Sequence, residues 1–96
     1  TNINQILRTF KECQVSVIGT SAKSQQSLYN IKLTGSIALV LGSESHGIRS
    51  VTKKYCDELV SIPILGNIST LNVSVATGIC LFEAVRQRFF DNFNKY

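Results

Sequence analysis

The run "SIALVLG", Ser36 to Gly42, sets Ile37, Ala38, Leu39, Val40 and Leu41 in unbroken order. A strand with one wet face alternates apolar and polar side chains, so a continuous aliphatic run marks a strand covered on both faces, as in a parallel sheet. The rest of the chain reads as helices and strands in keeping with that. Ile3, Ile6, Leu7 and Phe10 recur at helical spacing and predict an amphipathic helix from about Asn4 to Cys13. "VSVIG", Val15 to Gly19, then reads as a short buried strand, and the polar stretch Ser21 to Asn30 as a loop with a partial helical turn. A short helix is expected over Val51 to Tyr55 and a third strand over Leu59 to Ile64, with Pro63, which cannot donate to a ladder, at its end or edge. The last element runs from Asn72 or Val73 to Phe90. Its first half is apolar or small on every side, the pattern of a fully buried helix, while Glu83, Arg86, Gln87 and Arg88 mark a wetter second half. The order helix, strand, strand, helix, strand, helix is α/β.

Ninety-six residues suffice for one small domain, and 44% hydrophobic with 17% charged residues is the balance of a soluble globular protein. The absence of methionine and the start at Thr1 lead us to expect a piece of a longer chain. The most apolar stretch, Asn72 to Val85, is interrupted by Ser74, Thr77, Gly78 and Glu83, which argues against a membrane span. Cys13, Cys56 and Cys80 are odd in number, widely spaced and without a CxxC or His-paired pattern, so they read as reduced cytoplasmic thiols and not as a disulfide frame or a metal site. The formal charge of +4 is spread along the chain; it permits a nucleic-acid partner without requiring one.

In open α/β sheets ligands bind beyond the carboxyl ends of the strands, and two loops lie there. In "LGSESHGIRS", Gly42 and Gly47 have the spacing of a P-loop frame, but Ile48 and Arg49 stand where that motif needs Lys and Ser or Thr, and the GxGxxG fingerprint is absent too. The loop keeps glycines that let backbone approach a ligand, with Glu44 between them as an acceptor; His46, with no second group to orient it, reads as an exposed loop residue. In "ILGNISTLNVS", Ser69, Thr70 and Asn72 all suit an N-cap, and a helix needs only one. The surplus points to a ligand held partly by main chain.

"ALVLGSESHGI" followed by "ELVSIPILGNISTLNVSVATGICLFEAVRQR" closely resembles the second and third motifs of the SpoU/TrmH group of SPOUT methyltransferases, and the likeness extends through "VSVIGTSA" to the first helix. The resemblance implies a parallel-sheet α/β fold with a C-terminal trefoil knot around S-adenosylmethionine, a homodimer, an RNA partner, and 2'-O-methylation of a guanosine ribose in 23S rRNA. Carried over by position, Gly42, Ile62 and Leu71 match the cofactor contacts, which are largely main-chain. Glu44, Thr70 and Asn72 match the polar positions that complete the active site; the family usually has Ser at the place of Thr70 and Gly at that of Ser45. The family's first motif, with the Arg that activates the ribose hydroxyl, lies upstream of the matching region. Asn4 and Arg8 fall on the helix that follows that motif, where surface charge is the base expectation. Residues 1–96 are therefore expected to be the C-terminal, cofactor-binding part of a catalytic domain, poorly active alone. The rival reading is a module that retains the cofactor or RNA surface and performs no chemistry.

Overall fold

The computed structural model describes residues 2–42, 47–64 and 72–90. In chain order these form α1 (Ile3–Glu12), β1 (Ser16–Thr20), a 3-10 turn (Leu28–Asn30), β2 (Ile37–Val40), α2 (Ser50–Lys53), β3 (Glu58–Val60), α3 (Val73–Val85) and a π-helical turn (Arg86–Phe90). The three strands make one parallel sheet in the order β2-β1-β3. In β1 the adjacent Val17 and Ile18 are both buried, and because successive side chains of a strand point to opposite faces they enter two different cores. Val17 packs with Leu7, Val40 and Ile48 beneath α1 and α2. Ile18 packs with Leu28, Ile31, Leu33 and Val60 beneath Cys80 and Ala84 of α3. The central strand is thus covered on both faces.

The first helix begins where Asn2 caps it, its side chain accepting a hydrogen bond from Asn4 N at 2.9 Å. It ends in a Schellman-type turn in which Val15 N donates to Phe10 O and Gln14 takes the left-handed φ of 62° that usually belongs to glycine. Three polar pairs then fasten α1 to the segment between β2 and β3. Thr52 Oγ1 donates to Asn4 Oδ1, Arg8 Nη2 donates to Tyr55 Oη, and Lys11 Nζ donates to Asp57 Oδ1 at 2.7 Å. Asp57 also secures the foot of the sheet: its Oδ2 accepts from Val17 N and its own N–H donates to Val17 O, both at 2.7 Å.

On the other face, the stretch from Ile31 to Gly35 forms no strand, and its backbone groups are satisfied by side chains of the π-helical turn. Gln87 Oε1 accepts from Leu33 N at 2.6 Å while Nε2 donates to Ile31 O and to Glu83 Oε2. Arg88 donates to the carbonyls of Leu33 and Gly35. Leu33 is fully buried, so both of its main-chain groups depend on these two side chains.

Two expectations from the sequence are corrected here. The run Ile37–Val40 is an edge strand, and Ile37, Ala38 and Leu39 are only half-buried. The helix read as fully buried shows Phe82 at 74% exposure, with Val73, Val75 and Leu81 also exposed, whereas Glu83, placed in its wet half, is 5% exposed. Hydropathy specifies which faces need cover and is silent on whether the cover comes from the same 96 residues. An open groove of about 1060 Å³ follows the outer edge of β2, walled by Phe10 on one side and by Leu81, Val85 and Phe89 on the other.

Candidate functional site

The parallel sheet brings the ends of all three strands to one side, and Gly42 and Ile62 lie there, each two residues past the last ladder residue of its strand. With β1 between them, strand spacing sets them about 10 Å apart. Neither gives its main chain to the ladder, and among the described residues their N–H and C=O groups have no backbone hydrogen-bond partner. This is the arrangement expected of positions that bind through backbone, whose side chains are bland.

Gly42 has a second constraint. A Cβ added at that position would run into the backbone of Gly47 and Ile48. Gly42 and the Gly47–Ile48 peptide therefore meet backbone to backbone, forming a neck between the end of β2 and the segment that leads into α2. Gly47 takes φ +67° with open space around it, so its requirement is conformational and not steric. Ile48 is buried beneath α1 and α2 and anchors the downstream side of the neck. Ile62 packs against the core on the α3 face, which fixes the β3 side of the crevice.

Asn72 is the N-cap of α3: its Oδ1 accepts from Ser74 N at 2.7 Å. That bond uses the side-chain carbonyl, and the two amide donors have no partner among the described residues. Glu44, Thr70 and Leu71 lie outside the described residues, as does His46. Of the six site positions, three are thus described, and two of these converge at the sheet's carboxyl end.

Asn4 and Arg8 have structural partners. Arg8 is engaged by Tyr55, both through the hydroxyl and with its guanidinium 5.9 Å from the ring centroid, and Asn4 accepts from the buried Thr52. The thiols are likewise passive: burial pushes Cys80 above the ordinary range, and burial followed by the Asp57 charge does the same for Cys56. Among the described residues no three His, Cys, Asp or Glu side chains come together as a metal site. No helix among them is long and apolar enough to cross a membrane.

The clamp of Gln87 and Arg88 on residues 31–35 escaped the sequence reading. Its partners are 53 to 56 residues away along the chain, and no local spacing encodes such a pairing. The only trace is the presence of polar side chains just beyond an apolar helix, which reads equally well as a solvated face.

Comparison with known proteins fits this geometry. The chain is 54% identical over 88 residues to a 23S rRNA (guanosine-2'-O-)-methyltransferase RlmB of Photorhabdus laumondii, which covers 92% of this chain and 36% of that relative. The RlmB of Escherichia coli K12 is 52% identical over the same length. The chain thus spans little more than a third of the curated relatives it matches. Among solved structures, the TrmH/SpoU tRNA modifying enzyme of A. aeolicus superposes with a TM-score of 0.85 at 34% identity, covering 95% of this chain and 47% of that one. The SpoU methyltransferase AviRb of Streptomyces viridochromogenes, solved in complex with AdoMet, gives a TM-score of 0.79 at 28% identity, with 88% and 35% covered. A model of the SpoU rRNA Methylase family matches residues 1–82, and with these likenesses it establishes that the chain belongs to that family.

Proposed function

We propose that this chain is the C-terminal, cofactor-binding part of an S-adenosylmethionine-dependent RNA ribose 2'-O-methyltransferase whose target is a guanosine of 23S rRNA. The observation that carries the reading is the position of Gly42 and Ile62 just beyond the ladder at the carboxyl end of a parallel sheet in a SpoU-family chain. The names of its relatives support the substrate.

When bound, S-adenosylmethionine would supply an electrophilic methyl group on a sulfonium, which the ribose 2'-oxygen would take in line as its proton is lost and neutral S-adenosylhomocysteine leaves. The chain's part is placement. Gly42 and Ile62, with Leu71, would hold the methyl donor through backbone, and the close contact of Gly42 with Gly47 and Ile48 would fix the β2 side of that cradle. Glu44, Thr70 and the amide of Asn72 orient the ribose and help to offset the charge of the departing proton. The hydroxyl-activating Arg of the family's first motif has no counterpart in these residues, since Arg8 is bound to Tyr55. The isolated chain therefore binds cofactor and turns over poorly.

The same reading includes a trefoil knot, a homodimer and a cytoplasmic location. The hold of Gln87 and Arg88 on residues 31–35 supports a C-terminal helix tied to an earlier loop. Val75, Phe82 and Phe89 are exposed at seven-residue intervals along α3 and its continuation, an apolar stripe suited to a second subunit. The groove along β2 supports a domain completed by further chain, because a parallel edge strand with apolar flanks lacks its neighbour.

Titration calorimetry with S-adenosylmethionine tests the proposal. Saturable binding at one site per chain, with little methylation of a 23S rRNA fragment, is the expected outcome. A folded chain that binds no S-adenosylmethionine overturns it. Methylation at the rate of a complete enzyme, unaltered by Arg8→Ala, removes the need for the upstream arginine.

A further inference from the structure

Tyr29 is presented to solvent by a rigid support and has nothing to do there. It is 49% exposed, and its side chain makes no hydrogen bond or ring contact among the described residues. Tyr55, by contrast, is occupied by Arg8 through both ring and hydroxyl. The backbone beneath Tyr29 is fixed from three directions. Ser27 Oγ accepts from Tyr29 N at 3.1 Å, Asn30 N donates to Ser27 O, and the neighbouring Leu28 is completely buried. Leu28 N in turn donates to Ser61 O at 2.8 Å, and Ser61 N donates to Gln26 O, so the turn is stitched to the residue immediately before Ile62. The turn that carries Tyr29 is therefore joined to the end of β3, next to the candidate cofactor crevice. Lys32, three residues on, is exposed and has no partner among the described residues.

We infer that Tyr29 is a stacking platform for an unpaired base of the RNA next to the methylated nucleotide, with Lys32 contacting the adjoining phosphate. The inference rests on the proposed RNA substrate and adds a site to it. An exposed, immobilised aromatic with a neighbouring free cation is the usual equipment for a single strand: the ring offers a face to any base and the cation neutralises the backbone. A duplex keeps its bases stacked on each other and cannot use the ring. The fixed backbone also lowers the ordering cost, because only two side-chain torsions remain to be frozen on binding.

The test uses the full chain and a short single-stranded RNA. Tyr29→Ala is expected to weaken binding about tenfold, since base–aromatic stacking contributes on the order of 1–3 kcal/mol per base. Tyr29→Phe, which keeps the ring, is expected to bind within about twofold of the parent. The chain has no tryptophan, so tyrosine emission is directly readable. RNA should quench it in the parent and less in Tyr29→Phe, a signature that a merely structural tyrosine would not give. Lys32→Gln should flatten the dependence of log K on log salt by about 0.7, one phosphate on a single strand. Equal RNA affinity of Tyr29→Ala and the parent overturns the inference, as does a Tyr29→Phe as weak as the alanine variant. A change in oligomeric state instead of RNA affinity also overturns it and reassigns the ring to a protein interface. S-adenosylmethionine titration of the same variants keeps the two claims apart: intact cofactor binding with unaltered RNA affinity refutes the stacking role alone.

Discussion

The neck at Gly42 makes a demanding prediction, because the atoms that a side chain would meet there cannot step aside. In Gly42→Ala the new Cβ lands on the main chain of Gly47 and Ile48. A flexible side chain in that position would rotate away, whereas Ile48 is buried and held by the α1–α2 core, so relief requires the loop to open. Overpacking of this kind costs about 1–3 kcal/mol, and the upper part of the range applies where backbone meets backbone. If the opened loop is the one that closes on the cofactor, a loss of about 2–3 kcal/mol in the binding-competent state weakens S-adenosylmethionine by about 30- to 150-fold. Two comparisons isolate the cause. Gly47→Ala meets no atoms within 4 Å and suffers only its left-handed φ, about 1–2 kcal/mol, so it should weaken the cofactor less. At Gly19 a Cβ would approach Cys56 Sγ to 2.7 Å, Leu59 Cδ2 to 3.0 Å and Ile48 Cδ1 to 3.1 Å, all side-chain atoms of the core and none of the main chain that meets Gly42. Gly19→Ala should therefore lower the urea midpoint and leave cofactor affinity of the folded protein within about twofold. Calorimetry and urea unfolding on the three variants read both quantities. A Gly42→Ala protein that binds S-adenosylmethionine within twofold of the parent refutes the argument that this contact shapes the site.

Three further outcomes follow from the packing. Gln87→Ala leaves Leu33 N and Ile31 O unpaired in a part-buried setting and should cost roughly 2–4 kcal/mol in urea unfolding. Gln14→Gly should stabilise by about 0.5–1 kcal/mol, because φ 62° suits glycine, and a rise in melting temperature reads it. For pH, the Lys11 ammonium and then the Val17 amide hold the Asp57 carboxyl below its usual range, and the Arg86 pairing does the same for Glu83 against the opposing effect of burial. Both folded-state values are depressed, so their contribution is complete above the ordinary carboxylate pKa of about 4 and fades as pH falls through the lower, folded values. Unfolding midpoints should be flat near neutrality and decline below about pH 4, and Asp57→Asn should blunt that decline.

Much of the fold was written locally. The 3.6-residue recurrence of Ile3, Leu7 and Phe10 and the β-branched "VSVIG" gave α1 and β1 to within about a residue of their observed bounds, because both patterns describe faces that this chain itself buries. β3 came out shorter than expected, ending at Val60, since Ser61 pairs only as an isolated bridge with Ser27 and Pro63 has no N–H to extend a ladder. The site was legible only in part. Gly42 and Ile62 are proposed through motif likeness, and the sheet puts both just past its carboxyl end, where position and not side chain would count. Periodicity could not reveal Tyr29 or the Gln87 clamp, for which the informative partner is remote in sequence or absent from the chain.

The misreading of α3 carries physical information of its own. A helix that must meet water on one side rarely keeps Val73, Val75, Leu81, Phe82, Phe89 and Phe90 exposed, since burying each large apolar side chain gains about 1.5–3 kcal/mol. The same holds for β2, whose half-buried Ile37 and Leu39 border the groove. These two uncovered surfaces share walls at Leu81 and Phe89, so they form one continuous apolar face reaching from the sheet edge to the end of α3. A face of that extent supports the proposed assembly, in which additional strands along β2 and a partner helix against α3 would cover what β1 and its two cores leave open. Phe82→Ser should accordingly change little in the unfolding of the isolated chain, where the ring already meets water, and should disrupt self-association measured by sedimentation. If Phe82→Ser instead destabilises the monomer by several kcal/mol, the ring is packed within the chain and the argument for an assembled face fails.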